Sequence, residues 1–265
     1  MPEPKLTLAV EHYDRHLPLL DRSVTAEGIQ LEVRHVTVES GRHERMLDGL
    51  EWDCAELSLS SYIMAITRGA PLTAIPVFPR RLFSQNHILV AAASGIESPK
   101  HLEGKRVVIN AFQVTMTVLA LGDLKFEYGV DLQKVHWIST YDEVLPIGAR
   151  DGYSVAKVPD GTDPGQLLLS GDANAIIFPH PPASVLETDS VRPLFADRKA
   201  EALGYYRKHG YYPIMHLLVF RNAVVDRHPD LPRDVMRMWE DAKQQANEFY
   251  DDPGYSQLAF ARHEF

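Results

Sequence analysis

Strand-like and helix-like segments alternate over residues 6–68, and that alternation most limits the folds open to this chain. Leu6 to Val10 reads as an apolar strand ending in the polar cluster Glu11-His12-Tyr13-Asp14-Arg15-His16. A helical segment at Leu17 to Leu20 and a turn at Glu27-Gly28 follow, and Ile29 to Val38 then alternates apolar and polar residues as a half-buried strand does. A helix from His43 to Leu50 leads into Glu51-Trp52-Asp53-Cys54-Ala55-Glu56-Leu57-Ser58-Leu59-Ser60-Ser61-Tyr62. That stretch reads as a third strand, a polar loop, and a helix from Tyr62 to Arg68 closed by Gly69. Three strand–helix steps in succession are the pattern of an α/β fold with a parallel sheet and helices on its faces.

In such a sheet small molecules sit beyond the carboxyl ends of the strands, where helix N-termini and short hydroxyl side chains meet an anion. Ser58, Ser60 and Ser61 stand at one such end, and serving only as helix caps is the alternative for each. Strands at Leu72 to Phe78 and His87 to Ala93 are separated by Pro79-Arg80-Arg81-Leu82-Phe83. A second strand–helix unit begins at Ser98. It comprises a strand at Val107 to Asn110, a loop with Gln113 and Thr115, a helix from Met116 to Tyr128 and a strand at Val135 to Ile138. Residues 141–165 hold at most one strand, Ser154 to Val158. Beyond them come a strand from Asp172 to Phe178, a helix from Arg198 to His209, a strand from Ile214 to Phe220, and a helix from Pro232 to Tyr250 with Val235, Met238, Trp239, Ala242 and Ala246 on one stripe. The chain is expected to form two lobes about a ligand cleft, lobe 1 from 1–90 and 212–265 and lobe 2 from 91–211, with a hinge that closes on the ligand.

Composition narrows the function classes. A formal net charge of −9 argues against general nucleic-acid binding, which needs a basic face. The single cysteine, Cys54, excludes an internal disulfide framework and reads as a buried thiol. No secretory leader is legible from Met1 to Thr7, and no run of about eighteen apolar residues could span a bilayer, so a cytoplasmic location is expected.

Four strings carry a family resemblance: Asp53-Cys54-Ala55-Glu56-Leu57-Ser58-Leu59-Ser60-Ser61-Tyr62, Ile75-Pro76-Val77-Phe78-Pro79, Leu102-Glu103-Gly104-Lys105-Arg106-Val107, and Pro213-Ile214-Met215-His216. Over about residues 5–250 the chain resembles the 4,5-dihydroxyphthalate decarboxylase family, which is related to the type II periplasmic-binding-protein fold. The resemblance implies that two-lobed fold and a nonoxidative loss of CO₂ from a dihydroxylated aromatic acid, giving a protocatechuate-like product. It also has departures. Ser84 and Gln85 stand where the family pattern has a basic pair, and His180 stands where it has an arginine; these bear on the substrate rather than the fold. Members continue beyond position 265, so the terminal helices are expected to be shortened.

Such a reaction needs a carboxylate anchor, a proton donor aimed at the ring carbon that loses CO₂, and a route for electrons into the ring. Each ring hydroxyl of a 4,5-dihydroxyphthalate is para to one carboxylate, so its deprotonation supplies that route and no organic cofactor is required. His216, on an apolar strand where a histidine has little packing reason to be, is the first candidate acid or base; a core histidine bonded to backbone is the alternative. His180 is a candidate second proton shuttle, and Glu56 could activate a ring hydroxyl or orient a histidine. Arg81 is the expected carboxylate anchor, with Arg80 read as surface. Tyr62, Gln113, Thr115 and His12 complete the substrate-binding set with the serines. His12, His16, His87, His180 and His216 fall at strand ends, yet no His-x-His or His-Glu-x-x-His spacing occurs, so a divalent metal would need a site assembled in space. The partner is expected to be a small aromatic carboxylate, with a homo-oligomer possible. The rival reading is a solute-binding protein that closes on a small carboxylate and does no chemistry.

Overall fold

The computed structural model describes residues 5–25, 28–38, 40–148, 151–159 and 161–251. Glu27 of the turn expected at Glu27-Gly28, and the stretch beyond residue 251, lie outside them. The chain opens with β1 (Lys5–Val10), α1 (Leu17–Leu20), β2 (Gln30–His35), α2 (Arg42–Gly49), β3 (Cys54–Ser58), α3 (Leu59–Ile66) and β4 (Leu72–Ile75). It continues through β5 (Ile88–Ala91), β6 (Arg106–Ile109), α4 (Thr115–Phe126), β7 (His136–Ser139), β8 (Ser154–Lys157), α5 (Pro164–Leu169), β9 (Ala175–Ile177), β10 (Val191–Pro193) and α6 (Arg198–His209). The last elements are β11 (His216–Arg221), α7 (Asn222–Arg227) and α8 (Leu231–Asp251).

Two compact units result. Among the described residues, the first takes 5–58, Ala65–Pro79 and 216–251; the second takes Leu59–Met64 and 80–215. The limits expected from the sequence lay near 90 and 212.

The first unit is built on a five-stranded sheet of order β2-β1-β3-β11-β4. Strands β1, β2 and β3 run parallel, but β11 lies antiparallel between β3 and β4, so the sheet is mixed rather than parallel as expected. The reason is one of entry. His216, the first residue of β11, sits opposite Ser58, the last of β3, so β11 enters the sheet at the edge where β3 leaves it and must run the other way. All five residues of β3 are buried, as a central strand covered on both faces requires. One face meets α8, whose Val235, Met238, Trp239 and Ala242 join Leu6, Leu8, Val10, Cys54, Leu218 and Phe220 in a single core. The stripe read from the sequence is therefore the packed one.

The second unit has a six-stranded sheet of order β10-β5-β9-β6-β7-β8. Strands β9, β6, β7 and β8 are parallel, and β5 runs antiparallel to both β9 and β10. Alternate residues of its middle strands bury themselves in two different cores. Val107, Ile109 and Ile177 face α4, whereas Val108, Ile176 and Leu89 face the side of Leu168 and Phe178. No helix among the described residues is long and apolar enough to cross a membrane.

Two local expectations are corrected. No polar loop follows β3: α3 starts at Leu59, whose N–H donates to the Met215 carbonyl, so Ser60 and Ser61 sit in the first turn of a helix. His87 closes a 3-10 turn, Ser84–His87, and the strand begins one residue later.

Candidate functional site

In the first unit, the ends of β1, β3 and β11 and the start of α2 bring together a buried ionic cluster. Glu56 projects from β3 and has no exposed surface. Its Oε1 lies 2.5 Å from His216 Nδ1, 3.3 Å from the Tyr13 hydroxyl that donates to it, and 3.4 Å from Arg42 Nη2. Its Oε2 accepts the Glu11 N–H at 3.0 Å. Arg42, also without exposed surface, donates from Nε to the Glu56 carbonyl at 3.1 Å, and from Nη1 to Glu11 Oε2 at 3.2 Å and to the Val36 carbonyl. Glu11 also accepts the Val38 N–H and meets His35 Nε2, each at 3.2 Å.

The electrostatics follow from these contacts. Burial alone would raise the Glu56 carboxyl, but the Arg42 guanidinium and the His216 hydrogen bond outweigh it and hold the acid well below the ordinary carboxylate range. An ionised Glu56 can only accept, so His216 Nδ1 carries the proton between them. The His43 ring stands edge-on to that of His216, with centroids 5.1 Å apart. Behind the pair, His16 donates from Nδ1 to the Glu11 carbonyl at 2.6 Å and packs edge-on against Trp239. Burial pushes His16 down to about 4, against the opposing pull of Glu56. Its Nε2 is buried with no hydrogen-bond partner among the described residues.

The residues predicted from the sequence fall into three groups. Glu56, His216 and Ser58 come together in the first unit; His12 is on its surface there, with its ring against His35. Ser60, Ser61, Gln113 and Thr115 come together in the second unit and bond to one another. Thr115 Oγ1 accepts the Ser60 N–H at 3.0 Å and lies 2.9 Å from Ser60 Oγ, which also donates to the Gln113 carbonyl. Gln113 donates to Ser61 Oγ at 3.0 Å and accepts the Leu145 N–H at 2.7 Å. Tyr62 is half-buried on α3, while Arg81 and His180 are exposed. Arg80, read as surface, is the buried arginine of the pair. Arg81 bridges Ile214 in extended backbone, and neighbours in extended chain point to opposite sides, so burying one arginine exposes the other.

Sequence reasoning missed Arg42, Glu11 and His43. Arg42 belongs to the run Gly41-Arg42-His43-Glu44-Arg45, whose charges look like a solvated helix start. Glu11 and Tyr13 carried the only usable signal, a polar cluster at the end of an apolar strand. Among the described residues no three His, Cys, Asp or Glu side chains are grouped to hold a metal ion. A depression beside the end of α8, lined by Asp14, Arg15, Lys243, Ala246, Asn247 and Tyr250, holds none of the predicted residues.

Comparison with known proteins identifies the family. A family model described as NMT1/THI5 like matches residues 25–152. A protein of Comamonas testosteroni named 4,5-dihydroxyphthalate decarboxylase is 32% identical over 251 residues, covering 92% of this chain and 76% of the relative. One of the same name from Pseudomonas putida is 30% identical over 221 residues, covering 78% of this chain and 83% of the relative. The chain belongs to the 4,5-dihydroxyphthalate decarboxylase family.

The solved structures similar to this family member are periplasmic-binding-protein-like, which fixes its fold class. The periplasmic aliphatic sulphonate binding protein SsuA of Escherichia coli superposes with a TM-score of 0.59 at 13% identity, covering 92% of this chain and 74% of that one. The alkanesulfonate-binding protein SsuA of Xanthomonas axonopodis pv. citri gives 0.55 at 16%, covering 98% and 82%. The departures noted for this member, Ser84 and Gln85, are buried in the second unit on Asp123, which accepts from Ser84 Oγ at 2.6 Å and from Gln85 Nε2 at 3.4 Å. Burial holds that aspartate above its ordinary range. Neutral partners suit a carboxyl that is reluctant to ionise.

Proposed function

We propose that this protein is a carboxy-lyase that removes CO₂, without oxidation, from a dihydroxylated aromatic acid of the 4,5-dihydroxyphthalate type. His216 is the proton donor and Glu56 its positioning residue. The observation that carries the reading is the buried Arg42–Glu56–His216 chain, found in a member of a family whose named relatives are decarboxylases. Arg42 keeps Glu56 ionised; Glu56 accepts the Nδ1 proton of His216, fixes the ring and favours its imidazolium form, whose Nε2–H is the proton given to the ring carbon and is replaced from water after each turnover.

The reaction balances without an oxidant. A ring hydroxyl para to the departing carboxylate gives up its proton to water, which returns one to the product phenolate at the end, and its electrons raise density at the carbon that bears the carboxylate. That carbon takes a proton from His216. The bond to the carboxylate then breaks, its electron pair restores the aromatic ring, and CO₂ leaves. Since the ring hydroxyl supplies the electron push, the reading requires no organic cofactor, and activity before and after dialysis against a chelator separates a metal-free reaction from a metal-assisted one. Glu56 is read as orienting the histidine rather than meeting the ring hydroxyl, because both of its oxygens are engaged inside the protein.

The test is CO₂ release and ultraviolet absorbance change on addition of 4,5-dihydroxyphthalate and related hydroxybenzoates. We expect turnover by the native protein and a fall in kcat of about 10²- to 10⁴-fold in His216→Gln, with binding retained. A ligand that raises the melting temperature but is never turned over would favour a solute-binding protein. A fully active, folded His216→Gln would remove that residue from the chemistry.

A further inference from the structure

The second unit holds a group of basic side chains to which the proton transfer at His216 assigns no role. The Arg80 carbonyl accepts the Met215 N–H, and with Arg81 bridging Ile214 the Arg80 side chain turns inward until only 9% of the residue is exposed. There its Nη2 reaches the Pro179 carbonyl at 3.4 Å, and no carboxylate among the described residues pairs with it. A guanidinium removed from water without a counter-ion is costly, and proteins retain such a group where something else supplies the charge.

Three more basic groups gather at the same place. The carbonyl of His87 accepts the Phe178 N–H at 3.3 Å, which sets that histidine beside the end of β9. His180 follows two residues after Phe178, and Arg198 opens α6. The strongest charges acting on His87 come from Arg80, His180 and Arg198, and with its burial, the larger effect, they bring it down to about 4. His87 Nδ1 is buried with no hydrogen-bond partner among the described residues. We infer that Arg80, His87, His180 and Arg198 form a binding site for an oxyanion, a carboxylate group of a small acid.

The chemistry of the four groups fits that ligand. A guanidinium presents a planar fork that a carboxylate meets with two parallel hydrogen bonds. Burial first and the neighbouring positive charges second hold His87 down; an anion among them opposes both and moves His87 upward, toward a form that donates a bond to the anion. The site needs no turnover, so it stands or falls apart from the decarboxylase reading. An inorganic anion such as phosphate offers the same oxygens, and the test must separate the two sources.

The probe is phthalate, which has two carboxylates but no ring hydroxyl and cannot be activated for CO₂ loss. Calorimetric titration of the whole protein with phthalate, benzoate and inorganic phosphate is read beside histidine ring NMR. We expect phthalate to bind, to lose about 10- to 100-fold in affinity in Arg80→Gln and several-fold in Arg198→Gln, and to shift the His87 titration upward. Arg198 is on the surface, so that variant remains informative even if Arg80→Gln fails to fold. Unchanged phthalate affinity in Arg198→Gln together with an unmoved His87 would overturn the site, and binding of phosphate but neither carboxylate would overturn the ligand class.

Discussion

At the scale of single residues, Glu56 and His16 make opposite demands on pH. Glu56 is held below its ordinary value of 4.5, so the stability it contributes is complete above that value and is lost as pH falls through its folded value. Glu56→Gln is expected to cost about 3 kcal/mol at pH 7, because buried Arg42 loses the fully buried one of its two carboxylate partners and keeps the half-buried Glu11. The gap from the native protein should narrow below pH 4.5, and urea unfolding at pH 7 and in acid checks both points. His16 is depressed from 6.5 to about 4, so the unfolded chain binds its proton first, and folding loses roughly 3 kcal/mol through this residue as pH drops from 7 to 4. His16→Asn keeps a donor near the Nδ1 position for the Glu11 carbonyl and should remove that part of the pH slope. An unchanged slope would mean that His16 is not a buried neutral imidazole. Both Glu56 and His216 were legible as candidates, since a charged residue in an apolar strand announces itself. Their pairing was not, because nothing local to either residue specifies which strand will lie beside it.

At the scale of elements, the long helices were legible, while the start of α3, the short α7 and the strand directions were not. Helix α6 runs from Arg198 to His209 as its charge pattern and the Gly210 stop suggest, and α8 shows its apolar stripe openly. The antiparallel placement of β11 depends on where the chain re-enters the sheet, and periodicity carries no such information. The junction of β3 and α3 was misread because three serines look like a loop when their partners are unknown. In the structure the first turn of α3 is tied to the start of α4 through Ser60 and Thr115. Thr115→Val keeps the shape but removes the acceptor of the Ser60 N–H and the partner of its hydroxyl, and should cost about 1–2 kcal/mol. If the tie is structural, thermal unfolding shifts while phthalate affinity does not. Weaker binding at unchanged stability would return Thr115 to the ligand set.

At the scale of the whole molecule, the two units differ in how far the chain must travel to build them. In the second, β6 and β7 pair as Arg106 with His136, with α4 between them in sequence, so that pairing closes a modest loop. In the first, the Glu56–His216 contact joins residues 160 apart, and the slot between β3 and β4 stays unfilled until β11 arrives. Closing longer loops costs more entropy before any contact repays it, and topologies rich in distant pairings fold slowly. On refolding from denaturant, hydrogen-exchange pulse labelling should therefore find the amides of β6 and β7 protected in an earlier phase than those of β3 and β11. Catalytic activity should return with the later phase, since the proposed proton donor is the first residue of the last strand. Protection of β3 and β11 at the same time as β6 and β7, or before them, would mean that the first sheet is held together by something stronger than the long-range pairing, and the α8 core against β1 and β3 would be the place to look.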